Sequence, residues 1–252
     1  MQRRKKHVTC GFAIAIFGLA MTPLLAGCEM DTEEDALLDA DPLDDPGAPL
    51  EEVTEMYPAV TSNVGMTEKS CTIPRSDVAG YITIGSGSWG SWQECYDFCP
   101  ADTFAYSVIL RSEPPQGSGD DTAMNGIAIS CYNRWNGAYQ GYVTSHIGYW
   151  GSWVAWAMVN PASTSNPFIS GKMKIEPPQG SGDDTAANIV QLKSMNGVWI
   201  QPDTNSAWGT WNSETACPSG SAICGIKTRV ESPQGSGDDT ALNGTAFACC
   251  SF

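Results

Sequence analysis

One phrase, written three times, constrains this chain more than any other feature. It reads Glu113-Pro-Pro-Gln-Gly-Ser-Gly-Asp120-Asp121-Thr-Ala, Glu176-Pro-Pro-Gln-Gly-Ser-Gly-Asp183-Asp184-Thr-Ala and Glu231-Ser-Pro-Gln-Gly-Ser-Gly-Asp238-Asp239-Thr-Ala. Upstream of each copy stands a second signature, Trp89-Gly-Ser-Trp92, Trp150-Gly-Ser-Trp153 and Trp208-Gly-Thr-Trp211, and an asparagine follows each Asp pair at Asn125, Asn188 and Asn243. Set against one another, the copies define repeats at about 80–140, 141–196 and 197–252, an internal triplication. Three units of this size suit a closed object better than an open solenoid.

Residues 1–27 read as a leader rather than as domain. Arg3, Arg4, Lys5 and Lys6 form a basic start, Cys10 to Leu25 is apolar, and Leu25-Ala26-Gly27-Cys28 matches a bacterial lipobox with Cys28 as the acylated residue. The expectation is an exported lipoprotein of the cell envelope, with the membrane as partner through that anchor. Residues 28–70 form a tether: from Glu29 to Glu55 there are 12 acids and no Lys or Arg. Like charges repel, and too little apolar surface is present to offset chain entropy, so this segment is expected to be extended and disordered. The domain, 71–252, keeps a net charge of about −7 without a basic stripe, which argues against nucleic acid as a partner.

Export also sets the reading of the cysteines. Cys71, Cys95, Cys99, Cys131, Cys217, Cys224, Cys249 and Cys250 form an even set in an oxidising compartment. Counting eleven residues from the first Asp of each pair gives Cys131, Ser194 and Cys249; the residue before the Pro after each Trp signature is Cys99, Asn160 and Cys217. The second repeat lacks both cysteines together. That joint absence suggests Cys99 with Cys131 and Cys217 with Cys249, leaving Cys224 with Cys250 and Cys71 with Cys95; the spacing leaves a swap between Cys249 and Cys250 open. A zinc site is not supported, because after the leader only His146 remains as an imidazole. No other metal and no cofactor is implied.

Tyr106, Val108 and Leu110 alternate with Ser107, Ile109 and Arg111, and Ile127, Ile129 and Cys131 alternate with Ala128 and Ser130. Period two with many Gly turns predicts half-buried antiparallel strands. A basic residue stands two before each Glu, at Arg111, Lys174 and Arg229, which reads as a solvated salt-bridge face worth at most about 1 kcal/mol per pair.

The combination W-G-x-W, then C-P, then E-x-P-Q-G-x-G-D-D-T-A-x-N, three times over with Cys249-Cys250 at the end, resembles the vitelline membrane outer layer protein I family over about residues 75–252. The resemblance implies an all-β fold: a β-prism of three four-stranded antiparallel sheets with pseudo-threefold symmetry, each sheet contributed mainly by one repeat. It also implies a transferase-like activity on N-acetylchito-oligosaccharides. The missing cysteine pair of the second repeat, the added Cys71 and Cys95, the lipobox and the acidic tether depart from the family pattern, and the last two speak against an egg-coat role.

Function must still come from sites. Adjacent residues of an extended segment point apart, so Asp120 and Asp121 make a poor acid and base pair. A demand that recurs in every repeat is a demand of the fold, so Asp, Thr and Asn are read as holding a Gly-rich turn rather than calcium. Glu113, Glu176 and Glu231 are the acids to watch for catalysis. Trp150, Trp153 and Trp156 with Tyr149 are the densest aromatic candidates for a sugar platform, joined by Asp121, Asp184 and Asp239 as polar candidates. No nucleophile elbow accompanies His146, and Gly85-Ser-Gly87-Ser-Trp-Gly90 lacks the βαβ setting of a dinucleotide loop. The sequence thus points to an exported module that binds glycan or serves a coat role without catalysis, with an enzyme acting on chito-oligosaccharides as the alternative.

Overall fold

The computed structural model describes residues 72–116, 121–159, 165–179, 185–204, 206, 208–234 and 239–252. The leader, Cys28, the acidic segment, Cys71, Asp120, Asp183, Asp184 and Asp238 lie outside the described residues. The described chain is built of strands. The first repeat carries β1 (Val78–Ser86), β2 (Ser91–Trp92), β3 (Asp97–Phe98), β4 (Thr103–Ser112) and β5 (Met124–Asn133). Next come β6 (Tyr139–Thr144), β7 (Ser152–Trp153), β8 (Ala157–Met158), β9 (Phe168–Ile175) and β10 (Ala187–Ser194). The third set is β11 (Trp199–Ile200), β12 (Thr210–Trp211), β13 (Thr215–Ala216), β14 (Ser221–Val230) and β15 (Leu242–Ser251).

These strands make three antiparallel sheets of one design, in orders β1-β15-β14-β2, β6-β5-β4-β7 and β11-β10-β9-β12, with β3, β8 and β13 continuing the short fourth position. The central hairpins pack on one another pairwise, β14 against β4 and β9 and β4 against β9, which closes a β-prism. Its interior is filled by Leu110, Ile127, Ile129, Met173, Leu192, Ile226 and Phe247, all fully buried. Each such side chain stabilises the fold by about 1.5–3 kcal/mol relative to exposure.

The division of labour differs from the expected one sheet per repeat. Each sheet takes its central hairpin from one repeat and its outer strands from the next, and β1 to β3 of the first repeat complete the sheet of β14 and β15 from the third. The W-G-x-W segment of one repeat therefore docks on the hairpin of the repeat before it. The ring closes by sequence-distant pairing, with Tyr81 opposite Ala248 and Trp92 opposite Arg229.

The expectation of half-buried strands fails for the central hairpin of the middle of these sheets. All ten residues of β4 are buried and nine of ten in β5. Period two sorts the side chains correctly, but the outward set is roofed: Ile109 and Ala128 lie beneath Tyr142, Trp153, Val154 and Trp156.

Three cystine bridges join Cys99 to Cys131 and Cys217 to Cys249, the pairs that the repeat register suggests, and Cys224 to Cys250, the pair left over, without the swap that the spacing leaves open. Cys95 is also disulfide-bonded; Cys71, its expected partner, is among the residues not described. Cys99 follows β3 of one sheet while Cys131 lies on β5 of the next, and Cys217 follows β13 while Cys249 lies on β15. Both bridges therefore staple neighbouring sheets. At the third seam Ser194 stands in the place of those β-strand cysteines and donates to Asn196 Oδ1 (2.5 Å) and Val198 O (3.0 Å). Disulfides of this density fit an exported protein.

Candidate functional site

Each repeated phrase leaves its strand at a glutamate whose backbone N–H donates to an alanine carbonyl, Glu113 to Ala123 (2.8 Å), Glu176 to Ala186 (2.8 Å) and Glu231 to Ala241 (2.7 Å). One carboxylate oxygen accepts the following threonine hydroxyl: Thr122 to Glu113, Thr185 to Glu176 and Thr240 to Glu231, each at 2.6 Å. The other accepts a glutamine amide, Gln116 to Glu113, Gln179 to Glu176 and Gln234 to Glu231. The threonine hydroxyls accept in turn from Asn125, Asn188 and Asn243. Asp121 Oδ1 accepts from the Gln116 N–H (2.5 Å) and Asp239 Oδ1 from the Gln234 N–H (2.6 Å), so these two carboxylates tie their own loops. The alanines sit in the left-handed region, at φ 50°, 47° and 46° for Ala123, Ala186 and Ala241. Such backbone costs about 1–2 kcal/mol per residue and persists only where neighbours dictate it. The three glutamates are accordingly fasteners of a strained loop in every copy.

The two arginines before these glutamates turn to loop carbonyls rather than to a solvated ion-pair face. Arg111 is 6% exposed and donates from Nε to Gly151 O (3.1 Å) and from its two terminal nitrogens to Gly148 O and Tyr149 O (both 2.9 Å). Arg229 does the same to Gly90 O, Gly87 O and Ser88 O. A planar fork of five N–H donors can gather the carbonyls of a bending loop in a way that the ammonium of Lys174, at the equivalent position of the second repeat, cannot. Burial lowers the Arg111 pKa, with the Glu113 charge opposing. The glycine of each W-G-x-W is pinned here. Gly151 has φ +72°, and a Cβ on it would meet Ser112 O at 2.4 Å; Gly90 and Gly209 are the same.

The loop ends are fixed by the asparagines: Asn125 Oδ1 accepts from Trp150 N and Asn243 Oδ1 from Trp89 N, both at 3.1 Å. In the remaining copy a side chain intervenes, and Ser206 Oγ donates to Asn188 Oδ1 where the others carry Gly87 and Gly148.

The outward faces of the three sheets carry equivalent aromatic positions with different centres. On the β9 sheet, Lys172 Nζ lies 4.7 Å from the Trp199 ring centre and 4.9 Å from that of Trp211, and Lys193 Nζ lies 5.3 Å from Trp199. Glu214 accepts from Ser170 (2.7 Å) and pairs with Lys193 (3.3 Å). The Ser170 hydroxyl first, and Lys193 second, hold the Glu214 carboxyl below its usual value. On the β14 sheet, Lys227 Nζ faces Tyr96 (4.9 Å) and Trp92 (5.7 Å), and Tyr81 stacks on Tyr96 at 4.7 Å. Burial pushes the Tyr96 phenol up to about 12. On the β4 sheet Ile109 takes the place of the lysine and packs with Ala128 under Tyr142, Trp153, Val154 and Trp156.

The expected aromatic cluster therefore divides. Trp153 and Trp156 lie on the β4 sheet with Tyr142, whereas Tyr149 and Trp150 form an edge-to-face pair at 5.9 Å in the loop gathered by Arg111. Tyr149 is exposed, as are Trp208 and Trp211. His146 is half-buried, and its carbonyl accepts from Thr228 Oγ1. Among the described residues, no group of three or more His, Cys, Asp or Glu could hold a metal ion. Motif counting passed over Trp199, Lys172 and Glu214. Trp199 belongs to no signature, and Lys172 is marked only by lying two residues before Lys174, hence on the same strand face.

The model of the Vitelline membrane outer layer protein I (VOMI) family matches residues 81–252. The chain is 36% identical over 172 residues to the vitelline membrane outer layer protein 1 homolog of Mus musculus, covering 67% of this chain and 81% of the relative. To the Homo sapiens homolog it is 35% identical over 179 residues, 70% of this chain and 85% of the relative. Among solved structures, artocarpin complexed with methyl α-mannose gives a TM-score of 0.44 at 14% identity, covering 70% of this chain and 99% of that one. Calystegia sepium agglutinin gives 0.43 at 14% identity, covering 72% and 100%. At TM-scores this low, the lectin likeness supports no inference about this chain's chemistry. The repeated phrase, the prism and the span of the family match are of one piece: the chain belongs to the vitelline membrane outer layer protein I family.

Proposed function

We propose that this protein is an exported, lipid-anchored β-prism module that binds glycan on the outward faces of its sheets without catalysing a reaction. The carrying observation is the β9 face, where Trp199 and Trp211 flank Lys172, with Lys193 and Glu214 beside them. Large amphipathic rings offer contact to the C–H face of a sugar, and flanking charged groups donate and accept hydrogen bonds to its hydroxyls. Equivalent rings on three faces suit several weak contacts with a repetitive polymer, whose combined strength exceeds any single one. Anchoring rests on the Leu25-Ala26-Gly27-Cys28 motif and places the module at the envelope surface.

The enzymatic alternative requires two carboxyl groups facing one glycosidic bond. Glu113, Glu176 and Glu231 each have both oxygens engaged within their own loop, which favours binding over turnover. Calorimetry with soluble N-acetylchito-oligosaccharides and a glycan array, on wild type and Trp211→Ala, tests the proposal. Binding weakened at least tenfold by the substitution, with no product formed, supports it. Binding untouched by Trp211→Ala and Trp199→Ala, or release of shorter oligosaccharides, overturns it.

A further inference from the structure

The apolar cleft beside Arg134 is distinct from the three faces. It is a small, half-open cleft of about 90 Å3, lined by Arg134, Ser165, Pro167, Met195 and Phe252. Arg134 follows directly on β5, so its position is fixed by the strand end, where the Arg134 N–H donates to Asp102 O (3.3 Å).

The guanidinium is held in place by rings. Its central carbon lies 4.4 Å from the Trp135 ring centre and 4.6 Å from that of Phe252. Phe252 is itself supported by Phe104 at 5.5 Å. Ring contacts attract the cation but accept none of its in-plane N–H groups. One terminal nitrogen of Arg134 is buried with no hydrogen-bond acceptor among the described residues. Arg111 and Arg229, by contrast, have both terminal nitrogens satisfied by backbone carbonyls. A fixed guanidinium short of an acceptor, at an apolar cleft with one hydroxyl, matches a planar carboxylate carried on a small ring.

We propose that this cleft binds a sugar acid, its carboxylate taken by the Arg134 fork and its apolar ring face laid against Pro167, Met195 and Phe252. The site works independently of the β9 face. Isothermal titration of the full-length protein with D-glucuronate, D-glucose and acetate tests it, alongside Arg134→Gln, Arg134→Lys and Trp211→Ala. The expected result is binding of glucuronate at least tenfold tighter than glucose or acetate. Arg134→Gln abolishes this, Arg134→Lys weakens it several-fold, and Trp211→Ala leaves it unchanged. Equal binding of glucose shows that the guanidinium reads nothing, equal binding of acetate shows that the walls contribute nothing, and either overturns the proposal. Unchanged glucuronate binding by Arg134→Gln, with a native melting profile, overturns it as well.

Discussion

Thr122 Oγ1 donates to Glu113 Oε2 at 2.6 Å, and the bond recurs at the same length between Thr185 and Glu176 and between Thr240 and Glu231. A contact kept in every copy belongs to the fold, and its removal tests that directly. Glu113→Gln, Glu176→Gln and Glu231→Gln are each expected to destabilise the protein by about 1.5–3 kcal/mol, the range for hydrogen bonds to charged groups. Urea unfolding of the three variants checks this. Loss of glycan binding or of any catalysis confined to one of them would instead mark that glutamate as part of a site.

Gly151 and Gly141 both have positive φ, +72° and +98°, but only Gly151 has backbone where a Cβ would go, while nothing lies within 4 Å at Gly141. Gly141→Ala is expected to cost about 1–2 kcal/mol, the left-handed penalty alone. Gly151→Ala must also push Ser112 O away and open the carbonyl cluster that Arg111 gathers, and should cost clearly more. Thermal melts of both variants give the comparison, and equal costs would refute the steric reading.

The prism was legible because its cause is local and repeated. Turn residues recur at fixed offsets, and the paired loss of Cys99- and Cys131-type cysteines from one repeat reports a contact between them. What the sequence hid is what crosses between repeats. Nothing in the alternation of β4 says that Trp153 and Trp156 from the next repeat will roof Ile109, nor that Arg111 will turn to the carbonyls of Gly148, Tyr149 and Gly151 rather than to solvent. Arg134 likewise has no motif; its significance comes from Phe252 and Pro167, brought beside it by the fold.

Arg75 ties the start of the domain to β4. It donates to Thr103 O (2.7 Å) and Pro100 O (3.0 Å), stacks on Phe104 and pairs with Asp77. Hydrogen bonding from Arg75 is the main cause holding the Asp77 carboxyl below its ordinary value. A depressed folded-state pKa contributes stability above the unfolded value near 4, which fades as pH falls through the folded one. Asp77 is partly exposed, so the pair is worth at most about 1 kcal/mol. Asp77→Asn should therefore melt slightly earlier than wild type at pH 7 and together with it near pH 2. A melting difference that persists at pH 2 would show that the carboxylate charge is not its source.

Two of the three seams between sheets carry a cystine, and the third, between the β4 and β9 sheets, has Ser194 where its neighbours have Cys131 and Cys249. A cross-link restricts the unfolded chain, and the loops closed by Cys99–Cys131 and Cys217–Cys249, each with a separation of 32 residues, are worth about 3–4 kcal/mol in the chain-entropy account. The unstapled seam should then open first, with amides of β9 and β10 exchanging hydrogen faster than those of β14 and β15. Asn160 occupies the partner position by repeat register, although it lies outside the described residues. The pair Asn160→Cys and Ser194→Cys is expected to raise the melting temperature under oxidising conditions only, and to slow exchange in β10. If the engineered bridge forms, as mass spectrometry would show, yet leaves both unchanged, the seam is not where this prism yields.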